Sequence, residues 1–576
     1  MGFKSNEGRY PCIKNLLARC LQLVSAFTNT IGKEALWLSL FSLLFSAGII
    51  AGRHISASDP YSGLISENFF IPFSLGDLIS YIILSVCFFV IFGILHILAE
   101  KFDREKEISE SRIHIFPVCI VILVLWSPYL YAYWPGFIFG DTKASILQAV
   151  GSAPLDNRNP LLYTLFIKLC VFISGGLRTG DLTNAFAIYS IFQMVYVSVC
   201  ISYLICRITL GMKSILKWLL ALTYGLSPYV AAFTIAAWKD PVFSASVAVY
   251  SVLLFDFARS NGKVIREKKW IAAYACMSLI ILFWRNNGIC AVGASMLFLL
   301  VFYAVSKKAE LKRALLKITA ISAAVLILWG SIWGPVYHHF NIGTPKEETA
   351  GIMLNQMACV AAYGGNMSAN DAEYMNSILP LELYPELYRP CCVDLLKWDS
   401  RLNYDAMYDG SFLKTWVSLG LKNPKLYIQA WAMETYGFWT VNKKEINLNT
   451  ANINLGSLTN KDIAVGEYTI RCGNFAGSEW LRSILPADSW SVPVGIINWA
   501  ILFFFLSVIR RGNPLFSIVF ISQLGISAGL VIASPIFYLP RYGASAQFLI
   551  PLYLLVAFRS NTTLSYKIQE PINTNQ

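Results

Sequence analysis

Four polar clusters interrupt long apolar runs of this sequence, and they contain the side chains best suited to chemistry. A carboxylate can accept a proton from a hydroxyl group. Lysine and arginine can stabilise a phosphate, arginine through two hydrogen bonds at once. The clusters are Gly140-Asp141-Thr142 with Asp156-Asn157-Arg158-Asn159-Pro160, Trp238-Lys239-Asp240-Pro241, Trp284-Arg285-Asn286-Asn287-Gly288 and Pro540-Arg541-Tyr542.

The composition places these clusters in a membrane protein. Of 576 residues, 56% are hydrophobic and 14% are charged, whereas a soluble domain carries about 25% charged residues. The net charge of +12 comes from basic residues grouped between apolar runs, a pattern typical of membrane topology rather than of nucleic-acid binding. A soluble enzyme, a fibrous protein and a disordered chain are therefore excluded.

Membrane-spanning helices of about 20 apolar residues account for most of the sequence. We predict an all-α polytopic membrane protein with about 12–13 transmembrane helices, and an amphipathic helix over 14–27 lying on the membrane surface. Clusters of Lys and Arg between the spans predict cytoplasmic N- and C-termini. This orientation requires that the short, weakly apolar run 160–175 does not cross the membrane. The other predicted spans are 35–51, 78–99, 113–134, 184–206, 214–236, 241–258, 270–284, 288–305, 314–336, 491–509, 514–535 and 542–558.

One long break, 337–490, predicts an α-rich extracytoplasmic domain. It holds 12 Lys+Arg and 16 Asp+Glu, a balance of −4, so the rest of the chain carries +16. Its four cysteines permit disulfides without defining their pairing; they are Cys359, Cys391, Cys392 and Cys472. The predicted organisation is a cytoplasmic tail at 1–34, a transmembrane module at 35–336 with an outer loop at 135–159, this domain, transmembrane helices at 491–558 and a tail at 559–576.

Each polar cluster also has a simple structural explanation. Asp141 could cap a helix over 142–151, Lys239 and Asp240 could form an ion pair of small value, and Arg541 could anchor a helix end at the headgroups. Asn286, Asn287 and Gly288 are turn formers. Ordinary anchoring, however, would not place Lys and Arg at the outer ends of spans, where charges next to hydrocarbon usually mark function. The four clusters therefore predict one outward-facing cavity.

Several segments resemble a known superfamily. WPGFIFGDTKASILQA followed by LDNRNPLLYTLFIKL resembles the first outer loop of GT-C glycosyltransferases, and Arg158-Asn159-Pro160 stands where related enzymes often have His-Pro-Pro. AAWKDPVFSA, LFWRNNGICAV, MLNQMACVAAY and FLKTWVSLGLKNPKLYIQAWAMETYGFW look like a family of uncharacterised bacterial multispanning proteins that we associate with this superfamily. The resemblance covers most of 113–558. It implies a GT-C-like transferase in the plasma membrane that moves a sugar from a polyprenyl-phosphate-linked donor to a cell-envelope glycan or lipid acceptor, with Asp141 as the base.

The residues fit that chemistry. Asp141 can accept the proton of the acceptor hydroxyl, with Asp156 or Asp240 as alternatives, and the three outer cations can stabilise the leaving phosphate. No cofactor is indicated, although a divalent metal between Asp141 and the phosphate would be compatible. The predicted phosphate ligands are Lys239, Arg285 and Arg541, and the supporting cavity residues are Asp156, Arg158, Trp238, Asp240, Asn286, Asn287 and Tyr542.

Two other functions remain open at this point. A transporter or flippase of lipid-linked sugars predicts internal repeats and broken helices, and the Ser227-Pro228 break within 214–236 favours it. A polysaccharide polymerase or ligase would use similar external arginines. The sequence does not define the donor sugar, the acceptor or the oligomeric state.

Overall fold

The computed structural model describes most of the chain as α-helix. The described residues are 11–55, 72–103, 106–109, 113–343, 350–407, 409–441, 462–473, 475–485, 492–511, 513–534, 540–560 and 562–565, with backbone alone for 11–31, 106–109, 540 and 562–565. The Asn-rich segment 442–460, part of the predicted extracytoplasmic domain, lies outside them. The first thirteen helices are α1 Pro11–His54, α2 Leu75–Phe102, α3 Ile115–Ala132, α4 Gly140–Val150, α5 Leu161–Ser174, α6 Gly176–Thr179, α7 Thr183–Ile208, α8 Ser214–Gly225, α9 Pro228–Thr234, α10 Asp240–Arg259, α11 Lys268–Trp284, α12 Gly288–Val305 and α13 Ala309–His339.

The remaining elements are shorter helices and two small sheets. β1 Lys106–Ser109 pairs in parallel with β4 Thr562–Ser565, and β2 Ile463–Val465 forms a hairpin with β3 Tyr468–Ile470. The other helices are α14 Gly351–Ala362, α15 Ala369–Ile378, α16 Tyr384–Leu387, α17 Asp394–Lys397, α18 Tyr404–Met407, α19 Ser411–Lys422, α20 Pro424–Thr435, α21 Ser478–Ile484, α22 Val494–Arg510, α23 Ile518–Ala533, α24 Ala544–Phe548 and α25 Ile550–Phe558.

Within the described residues, eight helices are long and apolar enough to cross a membrane, and a ninth is counted if the bent pair α8 and α9 is one span. This multi-pass, all-α architecture was predicted, but the count is below the expected 12–13. The difference has a geometric origin, because α5 has 14 residues and α11 and α22 have 17 each. At 1.5 Å per residue, these helices fall short of the roughly 30 Å hydrocarbon core.

Three predicted segments have a different form in the structure. Residues 14–27 belong to α1, which runs for 44 residues and is continuous with the first span. The predicted span 214–236 is two helices that meet at Ser227 with a bend of 64°. The predicted span 542–558 is divided among a 3-10 turn at Pro540–Gly543, α24 and α25.

Helix α10 is the centre of the membrane part, and every one of its residues is buried. It packs against α7, α11, α23 and α24. Small side chains along it allow this close approach, since helices in an apolar environment associate by van der Waals packing rather than by a hydrophobic drive. These small residues are Ser244, Ala245, Ser246, Ala248 and Ser251.

The last turn of α10 carries a buried ionic group. Asp256 forms ion pairs with two guanidinium groups, at 2.7 Å from Arg207 Nη2 of α7 and 2.6 Å from Arg259 Nη2 of its own helix. All three side chains are at most 8% exposed. A buried charge is stable only when it is paired, so this group ties the end of α10 to α7.

Residues 350–430 form a second hydrophobic core, separate from that of the membrane part. It contains Leu354, Met375, Tyr384 and Leu419, all fully buried. The side chains of two residues near its start, Asn355 and Gln356, face this interior: Asn355 donates to Glu434 (3.0 Å) and Gln356 to the carbonyl of Tyr427 (3.1 Å). They are therefore engaged inside the domain.

Replacing Asp256 should destabilise the protein strongly. Asp256→Asn removes the negative charge between two buried guanidinium groups, and breaking a buried ion pair costs roughly 3–5 kcal/mol. Thermal unfolding of the purified full-length protein in detergent measures this as a lower midpoint. Asp405→Asn, a substitution at an exposed position, should stay within about 0.5 kcal/mol of wild type; equal midpoints for the two variants would contradict the role of the buried group.

Candidate functional site

Two loops pair with each other and thereby bring the first two polar clusters together. The amide of Phe137 donates to the carbonyl of Ile235 (2.9 Å), and the amide of Ala237 donates back to the carbonyl of Phe137 (2.8 Å). Gly136 precedes this pair with a φ of +119°, and a Cβ there would lie 2.3 Å from Ser190 Oγ. The close approach requires glycine, and it sets the start of α4 beside the start of α10.

Buried side chains bind the backbone carbonyls of the loop 234–238. Thr142 and Tyr163 both donate to the carbonyl of Ala237, at 2.6 and 2.7 Å. Tyr189 donates to the carbonyl of Trp238 (3.0 Å), and Gln193 to those of Thr234 and Ala236. Sequence reasoning missed Tyr163, Tyr189 and Gln193, because a polar residue within an apolar run gives no sign of its partner. Together they hold Trp238 and Lys239 in place.

Asp141 is the second residue of α4, and its carboxylate faces two cations. Its Oδ2 lies 2.8 Å from Arg541 Nη2 and 3.9 Å from Lys239 Nζ. The residue before the helix is Phe139, without a side-chain capping bond, so capping is not the role of this carboxylate. Its side chain is 43% exposed, so a bound molecule can contact it.

A second ion pair lies beneath the first. Asp240 is fully buried and pairs with Arg285, itself 8% exposed. Lys239 donates to Asn159 Oδ1 (2.5 Å), and Asn159 Nδ2 donates to the carbonyl of Asp141 (3.1 Å). Asn159 thus links α4 to the loop before α10 and fixes the ammonium group of Lys239. Burial at Asp240 explains why this carboxylate is less suited than Asp141 to meet a substrate.

Aromatic rings enclose the cations. Trp238 stacks on Phe139 with 4.1 Å between ring centroids, and the Arg541 guanidinium carbon lies 4.9 Å from the Trp238 ring. Tyr542 stands between two guanidinium groups, 4.8 Å from Arg285 and 5.3 Å from Arg541. These cation–π contacts orient the guanidinium groups.

The predicted residues Asp156 and Arg158, in the loop before α5, lie next to the cluster and contact the domain 350–430. Asp156 and Arg158 pair with each other at 3.9 Å, and Arg158 lies 4.1 Å over the ring of Trp398 in the second domain. Asn286 donates to the carbonyl of Asn157 (2.9 Å). Asn287 is the residue preceding α12. The loop therefore joins the cluster of Asp141 and its cations to the domain that contains Trp398.

The cluster carries one excess positive charge. Two carboxylates, Asp141 and Asp240, face three cations, Lys239, Arg285 and Arg541. Burial by itself would raise the pKa of Asp141, but Arg541 and then Lys239 outweigh burial and lower this pKa to about 2. The carboxylate is ionised at neutral pH, and the surplus charge suits an anion. No group of three or more metal-ligating His, Cys, Asp or Glu side chains occurs in the described part of the chain.

The fold and this cluster define a multi-pass α-helical membrane protein with a polar, cation-rich site at one end of its helices. The chain belongs to a family of unknown function, DUF6020, whose model matches residues 147–565. That range contains Lys239, Arg285 and Arg541 and begins after Asp141. No curated protein and no solved structure matches the chain.

A membrane-impermeant reagent should reach the polar clusters from only one side of the membrane. Lys239→Cys and Arg541→Cys should react with a membrane-impermeant thiol reagent added to one face of cells or oriented vesicles. Lys307→Cys, at the far end of α12, should react from the other face, because α12 separates Lys307 from Arg285. Labelling of the wild-type protein corrects for its own cysteines. Reaction of Lys239→Cys and Lys307→Cys from the same face would refute this arrangement.

The ion pair of Asp141 should contribute stability with a defined pH dependence. Its pKa in the fold, about 2, is below the ordinary value of 3.8, so the stabilisation is complete above about pH 4 and is lost as the pH falls through 2. The difference in unfolding temperature between wild type and Asp141→Asn should be constant from neutral pH to about pH 4 and shrink below it. A difference that already shrinks between neutral pH and pH 5 would contradict the low pKa.

Proposed function

We propose that this protein is a membrane-embedded glycosyltransferase of the GT-C type, which transfers a sugar from a polyprenyl-phosphate-linked donor to a glycan or lipid acceptor of the cell envelope. One observation carries the proposal. The partly exposed carboxylate of Asp141 lies 2.8 Å from Arg541 and 3.9 Å from Lys239, at the end of a bundle of apolar helices. A base and phosphate-binding cations are the groups that this transfer needs.

The reaction assigns a task to each group. The acceptor hydroxyl oxygen attacks the anomeric carbon of the donor sugar, the bond from that carbon to the phosphate oxygen breaks, and the polyprenyl phosphate leaves with the bonding electrons. Asp141 takes the hydroxyl proton. Arg541 and Lys239 stabilise the charge that grows on the phosphate, in a site where apolar surroundings strengthen the interaction.

Phosphate binding would also prepare the base. A carboxylate with a pKa of about 2 is a weak base at neutral pH, because catalysis is most efficient when the pKa lies near the operating pH. A donor phosphate that binds Arg541 and Lys239 offsets the positive charge that holds this pKa down. The pKa of Asp141 then rises when the donor is in place, so proton transfer is coupled to donor binding.

Asp141 is the strongest of the three candidate bases. Asp240 is fully buried against Arg285, and Asp156 lies next to the cluster, paired with Arg158. Neither combines a partly exposed carboxylate with two nearby cations in the way that Asp141 does. The domain 350–430, whose Trp398 ring lies over Arg158, would shape the part of the site where the acceptor binds.

A flippase of lipid-linked sugars is the second candidate, and the break between α8 and α9 favours it. The two helices are bent by 64°, and broken helices are a feature of transporters. A transferase and a flippase differ in chemistry, because only the transferase releases polyprenyl phosphate. Reconstituted protein that is given a short-chain polyprenyl-phosphate sugar and an acceptor extract should release polyprenyl phosphate. Movement of a fluorescent analogue of the donor across the bilayer, without release of polyprenyl phosphate, would support the flippase instead.

Removing the carboxylate should abolish transfer. Asp141→Asn keeps the shape but cannot accept the proton, and general-base catalysis contributes about 10²–10⁴-fold. Cells that lack the gene should show an altered surface glycan profile by mass spectrometry, restored by wild type but not by Asp141→Asn. Asp156→Asn is the matched control and should restore the profile. Restoration by Asp141→Asn at equal protein level would show that this residue is not the base.

A further inference from the structure

A cavity lined by basic residues lies at the other end of α10, away from Asp141. It has a volume of about 350 Å³ and is lined by the loop after α10 and by the first turns of α13. Because α10 has 20 residues and rises 1.5 Å per residue, about 30 Å separates the two ends. This distance equals the thickness of the hydrocarbon core, so the cavity faces the opposite leaflet from Asp141.

Four basic side chains line this cavity, against one acidic side chain, Glu310. All four are exposed, and among the described residues no carboxylate forms an ion pair with any of them. The cavity therefore has a charge of +3 that the fold itself does not compensate. The basic residues are Lys263, Arg266, Arg313 and Lys317.

The loop that carries two of these residues is held firmly. Gly262 has a φ of +79°, and a Cβ there would lie 2.6 Å from Ala314 of α13, so the loop backbone packs directly on the helix. Val264 and Ile265 belong to the 3-10 turn Lys263–Arg266 and are buried, at 1% and 5% exposure. The cations thus stand on two elements in fixed contact, rather than on a solvated tail.

The wall of the cavity is amphipathic. Leu316 lines it and is 50% exposed, next in sequence to the cation of Lys317. An exposed leucine beside the cations would contribute nothing to the binding of a small soluble anion. A lipid places its phosphate against the cations and its acyl chains along the apolar helix surface.

We infer that this cavity binds the phosphate of an anionic lipid headgroup. Basic cavities between membrane helices bind such headgroups because several cations act on one anionic group at a membrane depth that the lipid itself defines. The inference does not depend on the transferase proposal, since the cavity and Asp141 lie at opposite ends of α10. It gives the protein a lipid-binding site in the leaflet that the proposed reaction does not use.

The test compares a cavity variant with a charge-matched control. The double variant Arg313→Gln, Lys317→Gln removes two cavity cations, and Lys307→Gln, Lys308→Gln removes two exposed cations at the same membrane end that do not line the cavity. The full-length proteins are compared in vesicles of phosphatidylcholine that contain increasing fractions of phosphatidylglycerol. The rise in unfolding temperature measures lipid binding. Inorganic phosphate alone is added in a parallel arm.

Phosphatidylglycerol should stabilise wild type and the control double variant alike and bind the cavity variant at least tenfold more weakly, because each charge-assisted hydrogen bond that a cavity cation donates to the headgroup phosphate strengthens binding about tenfold. The charge-conserving variant Arg313→Lys, Lys317→Arg should keep most of the affinity. Equal weakening in the cavity and control variants would overturn the inference and leave only general surface attraction. Stabilisation of wild type by inorganic phosphate, with no response to phosphatidylglycerol, would overturn the lipid as the source and assign a soluble phosphate.

Discussion

The structure depends on a single constraint: helix α10 is buried along its whole length, yet it carries charge at both ends. Asp240 begins it and Asp256 lies in its last turn, both at most 1% exposed. An isolated charge in such surroundings is unstable, so each end must meet a cationic partner from a neighbouring element. Arg285 forms an ion pair with Asp240 at one end, and Arg207 and Arg259 form ion pairs with Asp256 at the other. These pairs fix the height and rotation of α10, and with them the position of the loop before it.

The candidate site follows from that placement. Once Asp240 is neutralised by Arg285, the preceding Lys239 is brought beside Asp141, and Arg541 completes the approach from the last part of the chain. The carbonyls of the loop are bound by Thr142, Tyr163, Tyr189 and Gln193, so the cations are held before any ligand arrives. In the proposed transfer, cations that are already in place need little reorganisation as charge develops on the phosphate, and such preorganisation is a main source of electrostatic catalysis.

The two ends of the helices have different electrostatic character. At one end carboxylates and cations nearly balance, and aromatic rings such as Trp238 and Tyr542 cover the guanidinium groups. At the other, the cavity between the α10–α11 loop and α13 holds four cations with one acid. The first arrangement is suited to a reaction with a transient negative charge, and the second to a permanent anion. Under the two proposals, the protein acts in one leaflet and binds anionic lipids of the other.

The sequence by itself determined the class of the molecule and the residue types that matter. Low charge, long apolar runs and polar clusters at their ends define a multi-pass helical protein, because apolar length and charge position are local properties that hydrocarbon imposes on any fold. Asp141, Lys239, Arg285 and Arg541 were found in this way. Only the tertiary structure decided which carboxylate faces which cation: Asp141 with Arg541, Asp240 with Arg285. It also decided that α5, α11 and α22 are shorter than a full span and that Asn159 positions Lys239. These features depend on contacts between residues up to 400 positions apart. Such side chains come together only when the helices pack, so no local sequence pattern encodes the distance between them.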